Sequence, residues 1–189
     1  MQKAASLLIL VSFIIHIGVS AQQVYVGGKA HSGKLSWEDF TGKVPESTRF
    51  DANTSVNVVP RMRHAGTKSD TMRLEYLEVR VEVDSLKTWA KPNRRTADLL
   101  QHEQGHIDLF VLCAREMDDR LSHATVTRKN LKKVVDDLTT SIAGRYKELS
   151  LRYDRETEHV RNREKQAIWT KWIDEQIAGG GFSSSGPPQ

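Results

Sequence analysis

The chain has 189 residues, 28 Lys+Arg against 24 Asp+Glu, a net charge of +4 and one cysteine. That length suits a single domain, and the small cationic excess, alternating with acids along the C-terminal third, argues against a nucleic-acid partner. A lone Cys113 excludes an internal disulfide, so the fold must rest on its core and on any metal it holds.

In chain order, Met1-Gln2-Lys3 is a short positive start, Ala4 to Val19 is apolar, and Val19-Ser20-Ala21 ends the run in small residues. This predicts a secretory signal peptide over residues 1–21, cleaved after Ala21. The run is at the short end for a spanning helix and polar Gln22-Gln23 follows, so no stable membrane anchor is expected after cleavage. The mature chain is expected to be secreted or periplasmic.

The first half then reads as β. Gln23 to Val26 is a short strand ended by Gly27-Gly28. Leu35 to Phe40 leads into a turn at Thr41-Gly42. Asn53 to Arg63 and Thr71 to Val83 alternate apolar and polar residues around a polar loop, His64 to Asp70, which predicts a hairpin. Met72, Leu74 and Tyr76 fall on one parity and Leu77, Val79, Val81 and Val83 on the other, so a bulge is expected in the second strand.

Pro92-Asn93 marks a change to helical spacing. Thr96 is a cap candidate, and a helix is predicted from Ala97 to about Leu121, with apolar positions at Leu99, Leu100, Ile107, Phe110, Ala114, Met117 and Leu121. Further helices are predicted over 129–155 and 161–177. Trp37, Phe40, Trp89, Trp169 and Trp172 read as core aromatics. The Gly/Ser/Pro tail, residues 179–189, reads as disordered. The predicted architecture is α+β: a small antiparallel β-sheet in the N-terminal half followed by a helical half, forming one domain over 22–178.

The first long helix carries His102-Glu103-Gln104-Gly105-His106, an H-E-x-x-H pattern. Residues at i and i+4 share a helix face about 6 Å apart along the axis, so His102 and His106 can converge on one ion. Glu103, rotated by about 100°, can stand beside the water that a zinc ion activates and act as general base without being a ligand. Gly105 costs about 1 kcal/mol relative to Ala inside a helix, which predicts a close approach by another element, such as a strand over the site.

The third ligand must come from elsewhere. Leu109 and Leu112 break the extended H-E-x-x-H-x-x-G-x-x-H pattern, and Glu116 lies about 15 Å along the axis from His106. Asp108 points about 200° round from His106 and serves at most as a capping or supporting group. Asp154, Glu156, Glu158 and His159, all in Tyr153–His159, are the candidates; His64 and His123 lack a supporting pattern. Cys113, among Leu109, Phe110, Val111 and Leu112, reads as a buried small residue and not as a nucleophile.

These blocks resemble a known family. Leu35-Ser36-Trp37-Glu38-Asp39-Phe40-x-Gly42, Trp89, Leu99-Leu100-Gln101-His102-Glu103-Gln104-Gly105-His106-x-Asp108, and Tyr153-Asp154-x-x-Thr157-x-His159 with Asn162, Gln166 and Trp169 occur in the order found in the bacterial secreted zinc-dependent protease family, long catalogued as a domain of unknown function. The resemblance covers nearly the whole mature chain. It implies a peptidase using Zn2+, with a peptide or protein substrate and a zincin-like H-E-x-x-H helix. In that family's pattern Gly usually follows His159, where this chain has Val160. His159 is the favoured third ligand, with Asp154 next, and Tyr153 is a candidate donor to a developing oxyanion. Two other classes stay open: a non-catalytic zinc-binding structural or interaction module, and a zinc amidase acting on cell-wall peptide.

Overall fold

The computed structural model describes residues 23–187, so the expected signal peptide and its cleavage point lie outside the described residues. The described chain is α+β, with a sheet in the N-terminal half and three helices in the C-terminal half. Strand β1 (Gln23–Val26) turns through Gly27-Gly28 into β2 (Lys29–His31). After a 3₁₀ turn at Trp37–Asp39 come β3 (Ala52–Asn53), β4 (Val56–Gly66) and β5 (Thr71–Val83), and then β6 (Trp89–Ala90). A two-residue β7 (Val126–Thr127) pairs with the start of β5.

The hairpin of β4 and β5 is antiparallel as its alternation predicts, and the strand order is β2-β1-β5-β4. The sheet is not wholly antiparallel. β1 lies parallel to β5, with Val24 opposite Val81 and Val26 opposite Val83, because the chain crosses over through residues 32–55 before forming the hairpin. Parity in β5 switches where the sequence indicates. Arg63 pairs with Tyr76 but His64 with Leu74, so Glu75 is the extra residue. Val79, Val81 and Val83 are thereby turned into the core while Glu75 and Tyr76 both face solvent.

One boundary differs from the periodicity reading. Asn53 belongs not to the hairpin but to β3, which pairs with β6 (Ala52 with Ala90, Asn53 with Trp89). This short ladder holds residues 50–54 beside the helical half.

Helix α1 (Ala97–Ser122) begins at Thr96, whose hydroxyl accepts from the Leu99 amide at 3.2 Å. It packs against β4, β5, α2 (Leu131–Thr157) and α3 (Arg163–Ala178), so residues around most of its circumference are buried. Ile107, Leu109, Leu112, Cys113 and Ala114 have no exposure. Each such aliphatic side chain contributes about 1.5–3 kcal/mol of transfer free energy, which makes α1 the stiff axis of the fold. Phe40, Trp89 and Trp169 are buried as expected, and Trp37 and Trp172 pack against the same core while partly exposed.

The described part of the Gly/Ser/Pro tail, residues 179–187, lies against α2 and α3. Arg152 on α2 donates to the Ser185 carbonyl (2.7 Å) and the Pro187 carbonyl (3.0 Å), and Gly186 sits against Leu149 and Trp169. One guanidinium satisfying two carbonyls orders a segment whose composition carries no packing signal.

Candidate metal centre

Two residues of the centre come from α1 and two from the end of α2. On α1, His102 and His106 share a face, and both Nε2 atoms lie 3.1 Å from Asp154 Oδ1. Asp154 is in the last turn of α2. The helix ends at Glu158, and the chain then passes through three consecutive non-glycine residues of positive φ: Glu158 (48°), His159 (49°) and Val160 (85°). That left-handed turn brings His159 back over the helix end, with its Nδ1 3.2 Å from the same Asp154 oxygen. Three imidazole nitrogens therefore surround one carboxylate oxygen.

Supporting hydrogen bonds fix the ring orientations. Gln166 on α3 donates through Nε2 to the Tyr153 hydroxyl (2.7 Å), which turns its Oε1 toward His102 Nδ1 at 3.0 Å. That acceptor places a proton on His102 Nδ1 and fixes the ring with Nε2 toward Asp154. His106 Nδ1 is likewise engaged by the Ser150 hydroxyl at 2.9 Å. The Tyr153 ring stacks on His102 (centroids 4.6 Å apart, 19° between planes), and its hydroxyl donates to the His102 carbonyl at 3.2 Å.

The donor set fits a metal ion. His102, Asp154 and His159 offer ligand atoms within 4.8 Å of one another, and His106 reaches the same oxygen. The nitrogen–oxygen separations of 3.1, 3.1 and 3.2 Å are short enough for these side chains to share one ion. Burial raises the Asp154 pKa, but hydrogen bonds from His102 and His106 outweigh that and hold the carboxyl well below the usual range. Burial lowers the His106 pKa, and the carboxylates of Asp154 and then Glu103 more than reverse it, so His106 lies above its ordinary value.

The centre lies in a cleft of about 820 Å³ that residues 49–54 also line. Glu103 also lines it and is only 4% exposed, and its Oε2 accepts from Thr54 Oγ1 at 2.6 Å. The other carboxylate oxygen is left for another partner. Thr54 reaches Glu103 because the β3–β6 ladder fixes the preceding residues.

Of the residues singled out in the sequence, His102, Glu103, His106, Asp154 and His159 are brought together. Glu156 is turned away, bonded to Arg152 (2.6 Å) and to the Trp169 indole (2.8 Å), and exposed Glu158 lies in the turn. His64 lies in β4 and not in a loop, and His123 caps α1; neither lines the cleft. Asp108 accepts from Gln104, which also holds the chain at Gly33 and Leu35. Burial raises the Asp108 pKa. Glu116 pairs with Arg145, and burial pushes the Cys113 thiol up to about 12, so neither is available to the centre.

Tyr153, the candidate oxyanion donor, is buried against His102. It has no exposure and is absent from the cleft wall, and its hydroxyl is committed to Gln166 and the His102 carbonyl. It also supplies the close approach foreseen at Gly105, from helix α2 instead of a strand. Sequence reasoning assigned no role to Thr54, Ser150 or Gln166. Gln166 alone had a signal, as part of the C-terminal motif, but nothing local connects it to a histidine 64 residues away.

Over residues 36–160 the chain matches the family described as "Bacterial protein of unknown function (DUF922)". No curated protein matches the chain, and no solved structure does.

Proposed function

The chain belongs to this bacterial family of unknown function (DUF922), and for it we propose the function of an exported zinc-dependent metallohydrolase acting on peptide bonds. The observation that carries the proposal is the convergence of His102, His106 and His159 on Asp154 Oδ1 at the wall of an open cleft that Glu103 also lines. His102 and His106 through Nε2, and His159 through Nδ1, are the nitrogen ligands, and Asp154 is the oxygen donor beside them. Zinc held there would lower the pKa of a water to about 7 and polarise the substrate carbonyl.

The chain's own groups do the rest. Thr54 holds Glu103 Oε2, so the proton of the attacking water is taken on Oε1 and handed to the leaving amine. Gln166 and Ser150 keep the imidazoles from turning. Residues 50–54 line the cleft with the histidines and supply backbone groups for a peptide substrate. The signal-peptide reading of residues 1–21 supports a secreted or periplasmic setting.

A second reading has an observation in its favour. Asp154 contacts all three histidines, so four protein donors could close the centre as structural sites do, leaving no position for water. Such a site has no use for a base in the cleft, and Glu103 is there. Digestion of a peptide library by wild type and Glu103→Gln decides between them. The proposal expects cleavage by wild type and, in the variant, retained zinc with turnover lowered by a factor on the order of 100 or more. Retained zinc with no cleavage by either protein supports the structural reading.

A further inference from the structure

The cleft that holds the centre is rimmed by arginines: Arg49, Arg94, Arg161 and Arg163 all line it. Their counter-charges are unevenly distributed. Arg163 is bonded to Asp98 at 2.5 Å, and Arg94 shares Asp51 with Lys91 (3.6 and 3.3 Å). The two remaining carboxylates of the wall are engaged elsewhere, Asp154 among three imidazoles and Glu103 with Thr54. Among the described residues, Arg49 and Arg161 have no carboxylate within salt-bridge distance. On the outer sheet, by contrast, Arg61, Arg63, Arg73 and Arg80 each carry a glutamate.

The unpaired guanidinium groups belong to the same stretch of rim. The Phe50 ring meets the His159 ring edge-on at 5.1 Å, which joins the two segments. Arg49 precedes Phe50, with its guanidinium 5.1 Å from that ring, and Arg161 follows His159 by two residues. Both arginines lack a carboxylate partner, and both line the cleft that holds the contact between Phe50 and the third histidine. A cleft wall focuses their field, and a guanidinium fork matches a carboxylate with two parallel hydrogen bonds.

We propose that Arg49 and Arg161 form a carboxylate-binding subsite, which makes peptides with an acidic residue next to the scissile bond the preferred substrates. This rests on the reading of the cleft as a peptide-binding active site. The distinction from simple cationic attraction is positional: the preference depends on these two arginines and not on the net charge of the chain.

The test is equilibrium binding to Glu103→Gln protein, which needs no turnover. The probes are a fluorescein-labelled peptide with Glu on both sides of a central Ala-Leu bond and the same peptide with Gln in their place. The Glu peptide is expected to bind about tenfold more tightly, equivalent to about 1.4 kcal/mol, with the difference shrinking as salt rises. Adding Arg49→Gln and Arg161→Gln abolishes the difference, whereas adding Arg63→Gln on the sheet leaves it. Equal binding, no binding by either peptide, or a preference that survives the double replacement overturns the subsite. Wild-type digestion of the same peptides separates the two ideas. Cleavage without preference sinks the subsite and leaves the peptidase reading. A preference in binding with no cleavage sinks the peptidase reading and leaves the subsite.

Discussion

Gly105 on α1 and Tyr153 on α2 are in such close contact that a Cβ added to the glycine would come within 2.5 Å of the tyrosine hydroxyl and 2.8 Å of the ring carbon bearing it. The glycine lies between the two histidines of α1, and the tyrosine is stacked on one of them. Helix propensity alone favours Gly105→Ala by about 1 kcal/mol. The buried ring has no free end to swing aside, so the methyl must displace Tyr153 and with it the bonds to His102 and Gln166. Gly105→Ala is therefore expected to destabilise the fold by about 1–3 kcal/mol in denaturant titration, against the propensity scale.

Gln166 holds His102 in one tautomer from a helix outside the matched family segment. Gln166→Leu keeps the side-chain volume and removes the acceptor. Zinc affinity, measured by competition with a chelator, is expected to fall about 10- to 100-fold. The Tyr153 hydroxyl loses a donor in the same variant, so a stability loss of about 1 kcal/mol accompanies it.

Val160 has φ of 85°, a conformation that disfavours a β-branched side chain, and it follows directly after His159. Replacement by Ala or by Gly removes the same packing, so the difference between the two variants isolates the backbone. Val160→Gly should exceed Val160→Ala in stability by about 1 kcal/mol in thermal or chemical unfolding, the reverse of their usual order.

The metal-free protein has a pH dependence of predictable sign. Asp154 is shifted down on folding, since its imidazole partners outweigh burial. Its contribution is present above the ordinary carboxylate pKa of about 3.9 and is lost as pH falls through the lower folded value. His106 is shifted up, since Asp154 and Glu103 outweigh burial. Its contribution is complete below about 6.5 and is lost as pH rises through the raised folded value. Zinc requires neutral imidazoles, so its contribution grows with pH over the second window. The gap between the Tm values with and without zinc should widen as pH rises from about 5.5 to 8; a constant gap contradicts the assignment of His106.

Much of the fold was legible because its signals are local. The i, i+4 spacing put His102 and His106 on one face of a helix that begins at Thr96, and the parity switch in β5 signalled a bulge, which the structure places at Glu75. The segment Tyr153–His159 was legible as the partner of the two α1 histidines, but which of its residues meet them depended on the turn after α2, and its left-handed residues are not types that announce such a turn. Thr54 and Gln166 were beyond reach for another reason. Each acts on a residue at least 49 positions away, from beside a two-residue ladder with no periodic signature or from a helix whose packing partner no local spacing names.

Whether the histidine cluster is a zinc centre is tested most directly by the zinc content of the purified mature protein, measured by elemental analysis alongside His159→Ala. The account predicts about one zinc per chain in the wild type, retained through gel filtration, and a large loss in the variant. A wild-type chain that is stably folded, zinc-free and unable to take up added zinc would contradict it.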